Sequence, residues 1–181
     1  MNLQTFASVD ALFDWFAVAG TAQGEFVGLS HIDHGLQTAY ELRLSSPDDV
    51  ELQIAGLFHD LGHLLAPSDD AGHGRNGADA VEALFGSRVA KMVAWHVPAK
   101  RYLVAREGYD NQLSPLSRLT LMRQGGPMSS AEAAKFLASE HASSAIALRL
   151  ADDHAKQPGR VVPTLADWRH IVDSHHLTTR R

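Results

Sequence analysis

Helix-start signals recur along the whole chain, and no alternation of apolar and polar residues lasts long enough to make a strand. Ser8 is placed to cap a helix through Leu12, Phe13 and Phe16, whose spacing keeps apolar groups on one face. Gly20 to Gly28 reads as a loop, and a second helix is expected from about Ile32 to Leu44. Ser46 with Pro47 should start a third, running through Leu52 and Leu57 towards His59. Pro67 to Gly77 is polar and loop-like; Ala78 to Phe85 is helical, Gly86-Ser87 breaks it, and Arg88 to Trp95 resumes it. Ser114-Pro115 repeats the cap-plus-proline start. Gln124-Gly125-Gly126-Pro127-Met128 must turn, and Ser129 with Glu132 forms a capping box. A longer helix carries Ala145 to Ala155, and Thr164 caps a last one through Trp168 and Ile171. The expected fold is all-α, a single helical domain over residues 1–181.

Composition removes several classes of chemistry. The chain has no cysteine, which excludes disulfides, thiolate metal sites and cysteine nucleophiles. No apolar run approaches the roughly 20 residues of a membrane span. Met1 to Asp10 has neither the basic start nor the apolar core of a signal peptide, so a cytoplasmic protein is expected. A net charge of −5 without a basic run argues against nucleic acid as a partner. Eleven histidines in a thiol-free chain make a metal site the first thing to look for.

The most informative segment is His59-Asp60-Leu61-Gly62-His63, at the end of an apolar helix. The His-Asp pair offers a nitrogen ligand and a carboxylate able to bridge two metals, and His63 is expected to return to the same helical face as His59. Further candidates are His34, His73, His96 and Asp152. Four imidazoles and two carboxylates suit divalent iron, manganese or zinc better than calcium. Each has a plainer reading: His34 and His96 as hydrogen-bonded core histidines, His73 as a solvated loop residue, Asp152 as surface charge with Asp153 an equal alternative. His31, His141, His154, His170, His175 and His176 read as bystanders.

Five segments occur in order: Ser30-His31-Ile32-Asp33-His34-Gly35-Leu36-Gln37-Thr38-Ala39, His59 to His63, Trp95-His96-Val97-Pro98-Ala99-Lys100-Arg101-Tyr102-Leu103, Gln124 to Met128, and Leu148 to Asp153. Together they resemble the HD-domain mixed-valent di-iron oxygenases that cleave the carbon–phosphorus bond of 1-hydroxyphosphonates, relatives of myo-inositol oxygenase. The resemblance implies a single HD-domain helical bundle with two iron ions, Fe(II) and Fe(III), and O2 as co-substrate. His34, His59, Asp60 and Asp152 would hold one iron. Asp60 would bridge to the second, completed by His73 and His96. His63, Lys100, Ser117, Thr120 and Arg149 match positions that grip the phosphonate, with His63 and Lys100 catalytic. For Lys100 and Arg149 the plainer reading is surface charge. The partner implied is a small-molecule phosphonate, with no nucleic acid, no membrane and no stated oligomeric state.

One departure bears on the substrate. Family members carry a Tyr-x-Gly-Glu element shortly before the first histidine, its tyrosine on the second iron and its glutamate near the substrate's amino group. The matching positions here are Gly24 and Val27, or with a two-residue shift Phe26 and Leu29, and Glu25 lies close by. An amine-bearing substrate is therefore disfavoured. The same His-Asp pair also serves HD phosphohydrolases acting on a phosphomonoester or nucleotide, which is the alternative function.

Overall fold

The structure, a computed structural model, describes residues 4–24, 27–106, 108–109 and 113–179. Its helices are α1 (Val9–Ala19), α2 (His31–Ser45), α3 (Val50–Phe58), α4 (Leu61–Leu65), α5 (His73–Val104), α6 (Pro115–Arg123), α7 (Ser130–Leu137), α8 (Ala142–His154) and α9 (Leu165–Thr179). Among the described residues no strand forms, and the one isolated bridge joins Gln23 to Ser30. The fold is all-α, as expected.

Most caps form where the side chains predict them. The Ser8 hydroxyl accepts from the Ala11 amide, and Ser129 with Glu132 closes a capping box. The third helix starts differently. Ser46 ends α2, its amide donating to the Leu42 carbonyl, and Asp49 caps α3 by accepting from the Leu52 amide. Arg88 decides between the two candidates, because its guanidinium holds the Asp49 carboxylate from α5 at 2.6 and 2.7 Å.

Helix α5 begins earlier and ends later than the sequence pattern predicts. It opens at His73, where Asp69 accepts from the Gly72 amide and from the Asn76 side chain, so residues 67–72 are loop as read but 73–77 are already helical. Gly86, at φ 85° and ψ 171°, kinks it where a break was expected. It then runs through Pro98 to Val104, since Tyr102 and Leu103 bury against Phe136 of α7 in a small apolar cluster.

The main core is built around α3, which is buried from Leu52 to Phe58. The Phe58 ring meets Phe13 and Phe16 at 5.4 Å and stacks on Phe85 at 5.7 Å. Gly35 lets α2 lie directly on this helix: a Cβ there would sit 2.4 Å from the Leu57 carbonyl oxygen. These contacts fix the C-terminal end of α3, and the residue after Phe58 is His59.

Candidate metal centre

The chain turns between α3 and α4 at Asp60, whose φ of −97° and ψ of 9° are not helical. The expectation that His59 and His63 share one helical face is therefore corrected, because they sit on either side of a helix break. His63 still returns to the site, its Nε2 3.9 Å from Asp60 Oδ1.

Four imidazoles are held in one way. The Nδ1 of His34 faces the Ala155 carbonyl at 2.8 Å, that of His59 the Gly56 carbonyl at 2.8 Å, that of His73 the Asp70 carbonyl at 2.6 Å, and that of His96 the Val93 carbonyl at 2.6 Å. A carbonyl can only accept, so each Nδ1 carries the proton and each Nε2 presents a lone pair. This is how proteins orient metal-ligating histidines. The His59 Nε2 is buried and has no hydrogen-bond partner. The His73 and His96 Nε2 atoms lie 2.9 Å apart, two lone pairs face to face. Two nitrogens each about 2.1 Å from one ion and at right angles are about 3.0 Å apart, so a shared cation relieves that contact.

The convergent atoms form two groups, each with its ligand atoms within 4.8 Å of one another: His34, His59 and Asp152, and Asp60, His73 and His96. Asp60 lies between them. Its Oδ2 is 3.5 Å from His59 and 3.7 Å from His34, while its Oδ1 is 3.7 Å from both His73 and His96. The two oxygens of one carboxylate thus face different groups, which is the disposition a bridging ligand needs.

Electrostatics agree with a site for cations. Burial works against charge on Asp60 and Asp152, yet the imidazoles around Asp60, and Arg149 and Lys156 beside Asp152, hold both carboxyls well below the usual range. Burial pushes His73 down to about 4, His96 well below its ordinary value, and His59 down as well. His34 goes the other way: burial opposes its charge, but Asp152, 3.1 Å from its Nε2, raises it.

Both groups open on a cavity of about 300 Å³. Its lining also includes Lys100, Ser117, Thr120 and Arg149, all buried, so neither cation is surface charge. Lys100 Nζ donates to Thr120 Oγ1 at 3.1 Å. Ser117 and Thr120 come from α6, whose capping residue Ser114 accepts from the Ser117 amide. The turn after α6 wraps Arg101, which donates to the Gly125 and Gly126 carbonyls. Gly125 and Gly126 take φ values of 102° and 69°, which explains the paired glycines. Arg149 directs Nε and Nη2 at Asp153 and Nη1 at Asp152, 2.7 Å away.

Several residues of the site carried no signal in the sequence. His31, read as a bystander, lines the cavity, as do Gln23 and Asp70. Asp153, offered as an equal alternative to Asp152, accepts from Arg149, Lys156 and the Tyr109 hydroxyl. Of the positions matching the family's Tyr-x-Gly-Glu element, Gly24 and Leu29 line the cavity and Val27 is exposed. Glu25 and Phe26 lie outside the described residues.

A helical bundle presenting a turn-borne His-Asp pair to histidines from α2 and α5 and an aspartate from α8 is an HD domain, and the HD domain family matches residues 28–152. A hydroxymethylphosphonate dioxygenase of Gimesia maris is 35% identical over 156 residues, covering 81% of this chain and 77% of that protein. A [1-hydroxy-2-(trimethylamino)ethyl]phosphonate dioxygenase (glycine-betaine-forming) of Leisingera caerulea is 34% identical over 141 residues, 69% of this chain and 70% of its own. An uncharacterized protein of Acanthamoeba polyphaga mimivirus is 29% identical over 182 residues, 94% and 80% of the two chains. The chain belongs to the HD-domain phosphonate dioxygenases. No helix of the described residues is long and apolar enough to cross a membrane.

Proposed function

We propose that this chain, working as a single HD domain over residues 1–181 in the cytoplasm, uses two irons and O2 to cleave the carbon–phosphorus bond of a small 1-hydroxyphosphonate. The carbon bearing the hydroxyl is oxidised to a carboxylic acid and inorganic phosphate leaves. For hydroxymethylphosphonic acid the balance is HOCH2PO3H2 + O2 → HCOOH + H3PO4, all four electrons coming from the substrate. The observation that carries the reading is the shared cavity, whose lining holds both Nε2-presenting histidines around Asp60 and a buried lysine hydrogen-bonded to a threonine. A cavity that pairs a cation site with a buried ammonium suits a ligand bearing both a metal-binding hydroxyl and an anion.

His34, His59, Asp60 and Asp152 would hold one iron, and Asp60, His73 and His96 the other. When bound, the irons supply a Lewis acid for the substrate hydroxyl and the redox capacity to reduce dioxygen. The other residues bind and orient. Lys100 sets a buried positive charge against the phosphonate, where low dielectric strengthens the attraction. Ser117 and Thr120 offer hydroxyl donors beside it, and His63 closes the group from the metal side. Arg149 keeps Asp152 oriented through Nη1 and contributes positive charge to the phosphonate end of the cavity. Gly24 and Leu29 offer a substrate substituent no charge, so hydroxymethylphosphonate, with nothing to read there, is the simplest candidate.

The deciding experiment is anaerobic reconstitution with ferrous iron, followed by oxygen uptake and phosphate release against a panel of hydroxyphosphonates. The expected outcome is one O2 consumed per phosphate released. Phosphate release from a phosphomonoester under argon, with no oxygen uptake on any phosphonate, would install the hydrolase alternative instead.

A further inference from the structure

We propose that Asp70, in the turn between α4 and α5, is a positioning residue that holds the His63 imidazole for the substrate anion. The inference rests on the proposed role of His63 and adds the residue through which that role is set.

The turn is built to hold Asp70 still. Asp69 accepts from the Gly72 amide at 3.0 Å and from the Asn76 side chain at 3.0 Å, tying both sides of Asp70 to the start of α5. A Cβ on Gly72 would lie 2.1 Å from Asp69 Oδ2, so the turn leaves room there for glycine alone. Held this way, Asp70 faces two histidines. Its backbone carbonyl fixes Nδ1 of His73. Its carboxylate Oδ1 lies 3.7 Å from Nδ1 of His63, on the cavity wall.

The other contacts of the His63 ring leave its Nδ1 to Asp70: its Nε2 lies 3.9 Å from Asp60 Oδ1. The ring stacks on His73 with centroids 3.9 Å apart and planes 18° from parallel, a contact that fixes its plane but not which nitrogen is protonated. Proton placement needs a polar partner, and the Asp70 carboxylate supplies one. Asp70 Oδ2 is itself buried with no hydrogen-bond partner, so this carboxylate has acceptor capacity left to use. The 3.7 Å separation is a little beyond hydrogen-bond reach and closes with a small movement when substrate orders the site. His63, Asp70 and His73 also form a third group able to hold an ion. That use competes with the pairing of His73 and His96, since His73 has a single free nitrogen.

Substitution of Asp70 leaves its backbone carbonyl in place, so His73 and the metals are spared and the side chain is tested alone. The experiment is a double-mutant cycle of Asp70→Ala and His63→Ala on the iron-loaded enzyme. It reads the dissociation constant of inorganic phosphate by calorimetry, and kcat and KM on hydroxymethylphosphonate. Asp70→Ala should weaken phosphate by about tenfold, the worth of one hydrogen bond to a charged group. In the His63→Ala background it should cost nothing further. Asp70→Asn, which keeps an acceptor, should restore part of the loss, and iron content should be unchanged throughout. Additive losses, no loss, or no phosphate binding by the unmodified enzyme would each overturn the inference. Phosphate affinity needs no turnover, so if hydroxyphosphonates are not oxidised the proposed activity fails while the cycle still decides the role of Asp70.

Discussion

The two walls of the cavity are built by different means. On the metal side, α2, α3, α5 and α8 press against one another, and every proposed histidine ligand has its Nδ1 tied to a backbone carbonyl. On the α6 wall the helix brings Ser117 and Thr120 inward and buries Leu121 but turns Leu119 and Met122 to solvent, 60% and 72% exposed, and none of its described side chains joins either apolar cluster. Its position rests on the Ser114 cap, the glycine turn around Arg101 and the contact of Thr120 with Lys100. One wall is preorganised by the core and the other by a handful of hydrogen bonds. Geometry about a metal tolerates little displacement, whereas a wall that grips an anion can adjust to it.

The largest effect should come from the carboxylate shared by both groups on the rigid wall. Asp60→Ala should lose both metals and lower activity by on the order of a thousandfold or more, because its two carboxylate oxygens face the two ligand groups. His73→Ala should chiefly weaken one of the two. Elemental analysis of the purified variants reads this directly, and near-stoichiometric iron in Asp60→Ala would remove the basis for a bridged pair.

On the other wall the loss should be of substrate and not of metal. Lys100→Ala should cost about 2–4 kcal/mol in kcat/KM, as for truncating one partner of a desolvated charge pair. Iron content should match the unmodified protein. If iron is lost along with activity, the two walls are not separable and Lys100 supports the metal side instead.

These two walls also differ in how far the sequence foretold them. On the metal side the His-Asp pair is a short, chemically distinctive signal, whereas His34, His73, His96 and Asp152 each have a plainer reading and are assigned through the family resemblance of their segments. Asp70, His31 and Asp153 are not readable in either way, because nothing local separates a cavity-facing charge from a solvated one. Their roles depend on turns and on neighbours such as Tyr109, 44 residues from Asp153. The same limit shows in the fold. Ser46 and Asp49 both satisfy the rule for a cap, and the choice lies with Arg88, 39 residues away. Pro98 is an end signal by local rules, and burial of Tyr102 and Leu103 against Phe136 overrides it.

Substrate choice is the next smaller effect, and it probes the end of the cavity where Gly24 and Leu29 stand. With Val27 or Leu29 at the position matching the family's glutamate, a primary ammonium loses that carboxylate, so an unsubstituted hydroxyphosphonate should be preferred by about tenfold over its amino-substituted counterpart. Direct competition between the two substrates measures the ratio. Preference for the amine that disappears in Glu25→Gln would assign that residue the role of the missing glutamate.

The smallest expected effect isolates α6 itself. Ser114→Ala removes the acceptor for the Ser117 amide at the helix start, a loss of about 1 kcal/mol in a helix with little core packing to absorb it. Since α6 lies outside the main core, the cost should fall on local order and not on global unfolding, and the melting temperature should hardly move. Looser placement of Ser117 and Thr120 should raise KM for the phosphonate several-fold, at about the factor of five that 1 kcal/mol represents, with iron content intact. Amide hydrogen exchange offers a reading independent of activity: protection should drop across residues 115–123 and stay unchanged in α3. Exchange that accelerates equally in α3 and α6 would mean that the two walls open as one unit, and the division between a core-built and a cap-built wall would fall.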